Sequence, residues 1–212
     1  MSKNFQKKDL VIIPGARHLI LSKGIIKNVY MYLRSYFKLQ SNPDNSYKKL
    51  INRLSKDYNQ IYFIDYKRRV NDIFKLHNIN LIEETLKIIN GPYDVVCLSF
   101  GGYLMQKVLI NNKVKNLPEK LILVSSININ KKIVFPKNIK VVNIYSKSDD
   151  FAKKITFLLS GFNGGQHLSN VDNIIVDHMT HSELELDVKI PFGKYKGWTG
   201  FKLLERVLLG TN

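Results

Sequence analysis

Cysteine is nearly absent from this chain. Cys97 stands alone among 212 residues, so no internal disulfide framework exists, and a reducing compartment is the natural setting. Long apolar runs are missing too. No segment reaches the roughly 18 apolar residues of a membrane span, and the run Val11–Ile13 stops at Pro14-Gly15. The opening MSKNFQKKDL is polar and basic, with no apolar stretch of signal-peptide type behind it. These absences lead to the expectation of a soluble, cytoplasmic protein. Proline and glycine are sparse, at 6 and 12 residues. Neither a repeat nor a Pro/Ser-rich linker interrupts the chain, so residues 1–212 are expected to form a single domain. Hydrophobic residues make up 44% of it, which supplies a real core and excludes a disordered or fibrous chain.

Acidic residues are also few, at 17 against 33 Lys and Arg, for a net charge of +16. Such a field attracts phosphates, anionic membranes and acidic partners. It also follows from biased residue usage, because Lys, Asn, Ile and Tyr are all abundant, as in chains from AT-rich genomes. The lysines are scattered, and no long basic run or aromatic-interleaved cluster accompanies them. That argues against a nucleic-acid-binding protein.

What is present is alternation. Runs of strand length fall at Leu10–Pro14, Gln60–Asp65, Tyr93–Leu98, Lys120–Ser125, Ile139–Ser146 and Asn173–Asp177. Helical spacing falls at Asn45–Asp57, Leu81–Asn90 (stopped by Gly91-Pro92), Gly101–Asn112 and Thr199–Leu209. The strands are continuously apolar, which favours a parallel sheet covered on both faces. The fold class expected is therefore α/β, a mainly parallel sheet with helices on both faces. Leu19–Gln40 does not fit the minimal pattern. Ile25, Ile26, Val29, Tyr30, Leu33, Tyr36 and Phe37 fall at helical spacing, with Lys23, Lys27, Arg34 and Lys38 between them. This segment reads as a packing helix, as a lid, or as a basic amphipathic face for an anionic membrane surface.

Chemistry concentrates at strand ends. Tyr93–Leu98 runs into Ser99-Phe100-Gly101-Gly102 and then a helix. A serine on a sharp strand-to-helix turn projects its hydroxyl beyond the sheet. Gly101 and Gly102 give the crowded turn room, and the Phe100 amide at the helix start points where an oxyanion would form. The bland alternative is a glycine-rich helix start with Ser99 as an ordinary N-cap.

At this turn the chain resembles the α/β-hydrolase family, its lipase- and esterase-like members in particular. The family's G-x-S-x-G reads Cys97-Leu98-Ser99-Phe100-Gly101 here, with cysteine in place of the first glycine. The resemblance covers most of the chain from Leu10 onward, without the first two strands of larger relatives. It implies a compact α/β-hydrolase fold, Ser99 as nucleophile and the Ala16 amide as second oxyanion donor, Arg17 being the alternative. It implies Asp149 as the acid in Ser146-Lys147-Ser148-Asp149, with Asp150 as fallback. It implies His181 as the base in His181-Ser182-Glu183-Leu184, with His178 as fallback. The order serine, aspartate, histidine is that of the fold.

By the same resemblance no metal or organic cofactor is needed. Ser126–Asn138 is too short for the cap domain that many relatives insert there. A lipid or acyl ester is the favoured substrate, and a small soluble ester or thioester fits nearly as well. A non-catalytic binding protein of the same fold is the rival reading, kept open by Cys97. Gly164-Gly165-Gln166-His167 reads as a surface loop, because neither a leading strand nor a P-loop lysine accompanies it. His167, His178 and His181 carry no HExxH pattern that would make them metal ligands.

Overall fold

The computed structural model describes residues 7–15, 43–64, 76–129, 133–160, 167–184 and 188–211. In chain order these hold β1 (Asp9–Ile13), α1 (Pro43–Leu54), β2 (Ile61–Phe63), α2 (Leu76–Lys87), β3 (Tyr93–Leu98), α3 (Phe100–Asn111) and β4 (Lys120–Val124). Then come β5 (Lys140–Ser146), α4 (Asp150–Ser160), β6 (Asp172–Val176), α5 (His181–Leu184) and α6 (Gly200–Leu209).

The six strands pair in the order β2-β1-β3-β4-β5-β6, parallel throughout. Every residue of β3 is buried, as a strand flanked by neighbours and roofed by helices on two faces must be. Side chains alternate along the strands between two cores. Val11, Ile13, Val95, Cys97, Leu121 and Leu123 pack under α2, α3 and α4. Leu10, Ile12, Val96, Leu98, Ile122 and Val124 pack under α1 and α6. The sheet is thus covered on both faces, and the strand runs are apolar at odd and even positions for that reason.

Element boundaries move by a few residues. The expected strand Gln60–Asp65 contracts to Ile61–Phe63, because β2 is an edge strand with one neighbour. The helix expected at Leu81–Asn90 is α2, starting at Leu76 and ending at Lys87. Ile79, Ile82 and Leu86 carry its buried face one turn earlier than read. The Asn116 side-chain amide takes the carbonyls of Ile89 and Gly91, 2.8 and 3.2 Å away, and fixes the exit from the helix.

From β1 the chain crosses to β2 on one side, then returns past β1 to β3 on the other. The carboxyl ends of β1 and β3 therefore flank a topological switch point, the crevice where open α/β sheets bind ligands. Pro14-Gly15 and Ser99 sit at those two ends. Leu19–Gln40, read above as a lid or membrane face, lies outside the described residues. Among the described residues no helix is long and apolar enough to cross a membrane.

Candidate active site

Ser99 leaves β3 with φ 50° and ψ −118°, a conformation L-residues avoid. Three backbone hydrogen bonds hold it there. The Ser99 amide donates to Val124 O at 2.9 Å, and its carbonyl accepts from Gly102 N at 3.0 Å and Ile127 N at 3.1 Å. Strain of this kind costs on the order of 1–3 kcal/mol and persists only where the surroundings over-determine it. The ordinary N-cap reading fails here, because the Ser99 side chain makes no cap hydrogen bond to α3.

Gly101 explains how the turn closes. A Cβ at this position would stand 2.8 Å from Pro14 O and 2.9 Å from the Ile13 carbonyl carbon. Both are backbone atoms that cannot swing away, so only glycine lets α3 press against the end of β1. A Cβ at Gly102 would collide with the Ser126 side chain. Cys97, which stands where the resemblance expects glycine, lies in register with Ile13 and Leu123 and faces the α2–α4 core. It is fully buried, and burial pushes its thiol well above the ordinary range. The cysteine is a packing residue and leaves the turn intact.

His181 opens α5 and brings its imidazole to the serine. Nε2 lies 2.7 Å from Ser99 Oγ, and Nδ1 lies 2.8 Å from Asp149 Oδ2. An ionised carboxylate only accepts, so Nδ1–H donates to Asp149 and Nε2 is left to accept the Ser99 hydroxyl proton. Asp149 is fully buried, and Ser99 and His181 are 3% and 6% exposed. In so dry a site each of these contacts is electrostatically stronger than in water. The Phe151 ring packs 4.5 Å from the imidazole, centroid to centroid. Thr180 N and Oγ1 both donate to Glu183 Oε2 at 2.7 Å, which ties down the start of the short helix carrying His181.

Asp149 serves two masters. Its Oδ1 accepts from Ala152 N at 2.9 Å, capping α4, while Oδ2 faces His181. One side chain thus both caps α4 and orients the His181 ring. Asp150, the fallback acid, is not brought to His181. As the first residue of α4 it turns outward, pairs with Lys153 at 3.1 Å and leaves 61% of its side chain exposed. His178, the fallback base, lies on the surface instead of at Ser99. It takes φ 56° on an exposed turn, and its ring lies 5.4 Å from Phe192. His167 is bonded at 3.1 Å to the Tyr145 hydroxyl; Gly164, Gly165 and Gln166 lie outside the described residues. Among the described residues no three His, Cys, Asp or Glu side chains gather as a metal-binding group.

Phe100 is buried at the first position of α3, so its amide stands next to Ser99 at the positive end of the helix dipole. Ala16, the second expected oxyanion donor, and its alternative Arg17 lie outside the described residues. The loop leading to them starts at the elbow, where Pro14 packs against Gly101 and the Gly15 amide reaches the Tyr47 hydroxyl at 3.4 Å.

Two supports escaped the sequence reading. Ser146, where the family pattern has glycine, accepts from Ser148 N at 3.1 Å and Met179 N at 3.2 Å through its Oγ. One hydroxyl thus ties the loop of Asp149 to the loop of His181. Behind the elbow, buried Gln106 donates to Asn128 Oδ1 at 3.0 Å and accepts from Ile129 N at 3.0 Å. Its amide nitrogen also reaches Ser126 Oγ at 3.3 Å. This braces the segment whose Ile127 amide holds the Ser99 carbonyl. A polar Gln on the apolar face of α3 was the available signal.

Comparison with solved structures agrees with this architecture. A protein from Xanthomonas campestris pv. campestris assigned to the α/β superfamily of hydrolases matches with TM-score 0.50 and 11% identity, over 82% of this chain and 87% of that one. An uncharacterised protein from Bacillus cereus ATCC 10987 matches with TM-score 0.51 and 13% identity, over 96% of this chain and 58% of that one. A protein from Pectobacterium atrosepticum assigned as a YdeN-like hydrolase has TM-score 0.48 and 12% identity, over 82% of this chain and 80% of that one. No protein-family model matches the chain, and no curated protein matches it by sequence. At such identities the likeness is one of fold, and the chain has a compact α/β-hydrolase fold.

Proposed function

We propose that this protein is a serine hydrolase acting on carboxylic esters through Ser99, His181 and Asp149. The observation that carries the reading is the unbroken chain of short contacts from Ser99 Oγ to Nε2 and from Nδ1 to Asp149, at 2.7 and 2.8 Å, starting at a serine held in a positive-φ turn. A serine held there for packing alone would have no need of an oriented imidazole.

In the reaction His181 Nε2 takes the Ser99 proton as Oγ attacks the ester carbonyl carbon. The oxyanion forms beside the Phe100 amide, with Ala16 as the second donor. Asp149 holds the imidazole in one tautomer and stabilises the imidazolium. The carbon–oxygen bond to the leaving alcohol breaks, and that alcohol takes the proton back from Nε2. Water, deprotonated by His181, then attacks the acyl-enzyme, releases the acid and restores Ser99. The net change is one ester and one water to one acid and one alcohol, with no external oxidant or metal in the balance.

Acyl or lipid esters are the favoured substrates, supported by the amphipathic pattern of Leu19–Gln40 and the net charge of +16. A fluorophosphonate probe tests the reading directly. Labelling of the wild-type protein that disappears in Ser99→Ala is the expected result. An unlabelled wild type, with no turnover of p-nitrophenyl esters of any chain length, overturns it in favour of a binding protein.

A further inference from the structure

At the amino edge of the sheet, under α6, a cavity of about 550 Å³ opens between β5, β6, α6 and the loop that precedes α6. That size falls within the range of small-molecule sites. The triad stands at the other end of the strands. Lys140 and Ser146 begin and end β5, and six steps of strand separate them by roughly 20 Å.

The cavity floor is apolar, from Val142 and Ile174 of the sheet and Leu203 and Val207 of α6. Tyr195 and Trp198 form one wall, their ring centroids 5.7 Å apart and tilted by 54°. The wall is built rather than loose. Ile190 N donates to Trp198 O at 2.7 Å and Gly197 N to Ile190 O at 2.8 Å, closing the loop, and Lys189 bridges Thr199. The rim is cationic, with Lys140, Lys194 and Arg206. The Arg206 guanidinium lies 4.6 Å from the Trp198 ring centroid, which fixes its fork at the mouth. Among the described residues none of these three cations has a carboxylate within ion-pair distance. Asp172 is the one carboxylate on the lining. The carbonyls at the carboxyl end of α6 would repel an anion, but Lys120 Nζ already donates to Val207 O at 3.0 Å and Leu208 O at 2.5 Å. The fold sets Lys194 over the Tyr195 ring, and Lys202 and Arg206 over the Trp198 ring.

We propose that this cavity binds a phosphate-bearing ligand with a planar ring, of the size and chemistry of a nucleotide. The ring lies against Tyr195 and the apolar floor, and the phosphates meet Arg206, Lys194 and Lys140. A single carboxylate would leave the three cations under-compensated, whereas the guanidinium fork matches phosphate oxygens two at a time.

Trp198 is the single tryptophan of the chain, so its emission reports on this cavity. The full-length protein is titrated with ATP, with pyrophosphate and with phosphatidylglycerol vesicles. Expected is a saturable change with ATP, at least about 10-fold tighter than with pyrophosphate and retained in Ser99→Ala. Loss of one charged hydrogen-bonding partner should weaken ATP by about 10-fold or more in Arg206→Ala and in Lys194→Ala. The Lys194 variant leaves the Arg206–Trp198 stack in place and guards against a change caused by repacking. No response to ATP, equal affinity for pyrophosphate, a response to vesicles alone, or ATP binding unchanged in both variants overturns the proposal.

Discussion

At the carboxyl edge of the sheet, titratable side chains are buried and turn their hydrogen-bonding groups on one another. At the amino edge they surround one buried carboxylate and reach into solvent. Ser99, His181 and Asp149 are each at most 6% exposed and form one hydrogen-bonded line. Asp94, at the start of β3, is equally buried, but its partner Lys8 and the Glu119 that Lys8 also pairs with leave 36% and 55% of their side chains in water. The same strand thus begins in a screened ionic cluster and ends at a dry, directional one. Charge interactions are several times stronger in the second setting. Substitutions of Ser99, His181 or Asp149 should therefore change chemistry by orders of magnitude at little cost in stability. Those at the amino edge should change stability and its pH dependence and leave chemistry alone.

Ser99→Ala carries the greatest expected change, a fall in kcat of roughly 10⁶, measured on the best p-nitrophenyl ester. Its melting temperature should stay close to that of the wild type, because the three backbone hydrogen bonds of the elbow do not involve the hydroxyl. Asp149→Asn should lower kcat by roughly 10⁴, since an amide facing Nδ1 selects the wrong tautomer. Asparagine caps helices as well as aspartate does, so α4 keeps its start. Asp149→Ala should lower kcat by at least as much and also lose about 1 kcal/mol of stability with the cap to Ala152. Asp150→Ala, which removes a solvent-exposed partner of Lys153, should leave kcat within about twofold on the same reasoning. Equal loss of activity in the Asp149 and Asp150 variants would end the assignment of the acid.

Gly101→Ala comes next and bears on how the carboxyl edge is packed. The added methyl meets the backbone of Ile13 and Pro14 at the end of β1. Overpacking against groups that cannot move costs typically 1–3 kcal/mol, read as a lower midpoint in urea. Activity should fall along with stability, because the displaced helix start carries both the Ser99 turn and the Phe100 amide. A variant as stable and as active as wild type would show that this contact does not shape the elbow.

Much of this was legible because strand ends are where sequence and chemistry coincide. Tyr93–Leu98 reads as a buried strand from its apolar run alone, and the next residue is then forced to the sheet's edge. The resemblance to the α/β-hydrolase family, rather than the apolar runs, pointed to Asp149 and His181 after β5 and β6. Neighbouring candidates were harder to separate. Asp149 and Asp150 differ only in which side of the first turn of α4 they occupy, a matter of backbone geometry. His178 is itself the left-handed residue of the turn after β6, whereas His181 opens the next helix. The support from Ser146 was invisible, because a hydroxyl in a glycine's place announces nothing until two amides from distant loops are seen to converge on it. The cationic wall around Trp198 was missed for a related reason. Lys140 belongs to β5 and Arg206 to α6, and only the fold brings them together.

Asp94→Asn acts on the other edge. Burial raises the Asp94 carboxyl above its ordinary 3.8, opposed by Lys8, Lys120 and the Tyr58 hydroxyl, which donates to Oδ2 at 3.1 Å. A carboxyl whose folded-state pKa exceeds its unfolded-state one binds more protons in the native protein. Stability then falls as pH rises from the ordinary carboxylate range through the raised value. Asparagine removes that dependence, so urea midpoints of the variant should decline less over this interval than those of the wild type. A steeper decline in the variant would mean that the lysines, rather than burial, govern this carboxylate. Turnover should not change, which separates this substitution from every one at the triad.

Glu119→Gln is the mildest of the set and the cleanest measure of how weak the amino edge is. Glu119 sits 2.6 Å from Lys8, yet both side chains are well exposed. Such pairs contribute at most about 1 kcal/mol and are screened by salt. The substitution should therefore shift the urea midpoint slightly downward at low ionic strength, with the difference vanishing in molar salt. A large loss that survives molar salt would require Lys8 to depend on Glu119 for its position over Asp94. The amino edge would then be a coupled network resembling the triad, and the contrast between the two ends of β3 would be one of function alone.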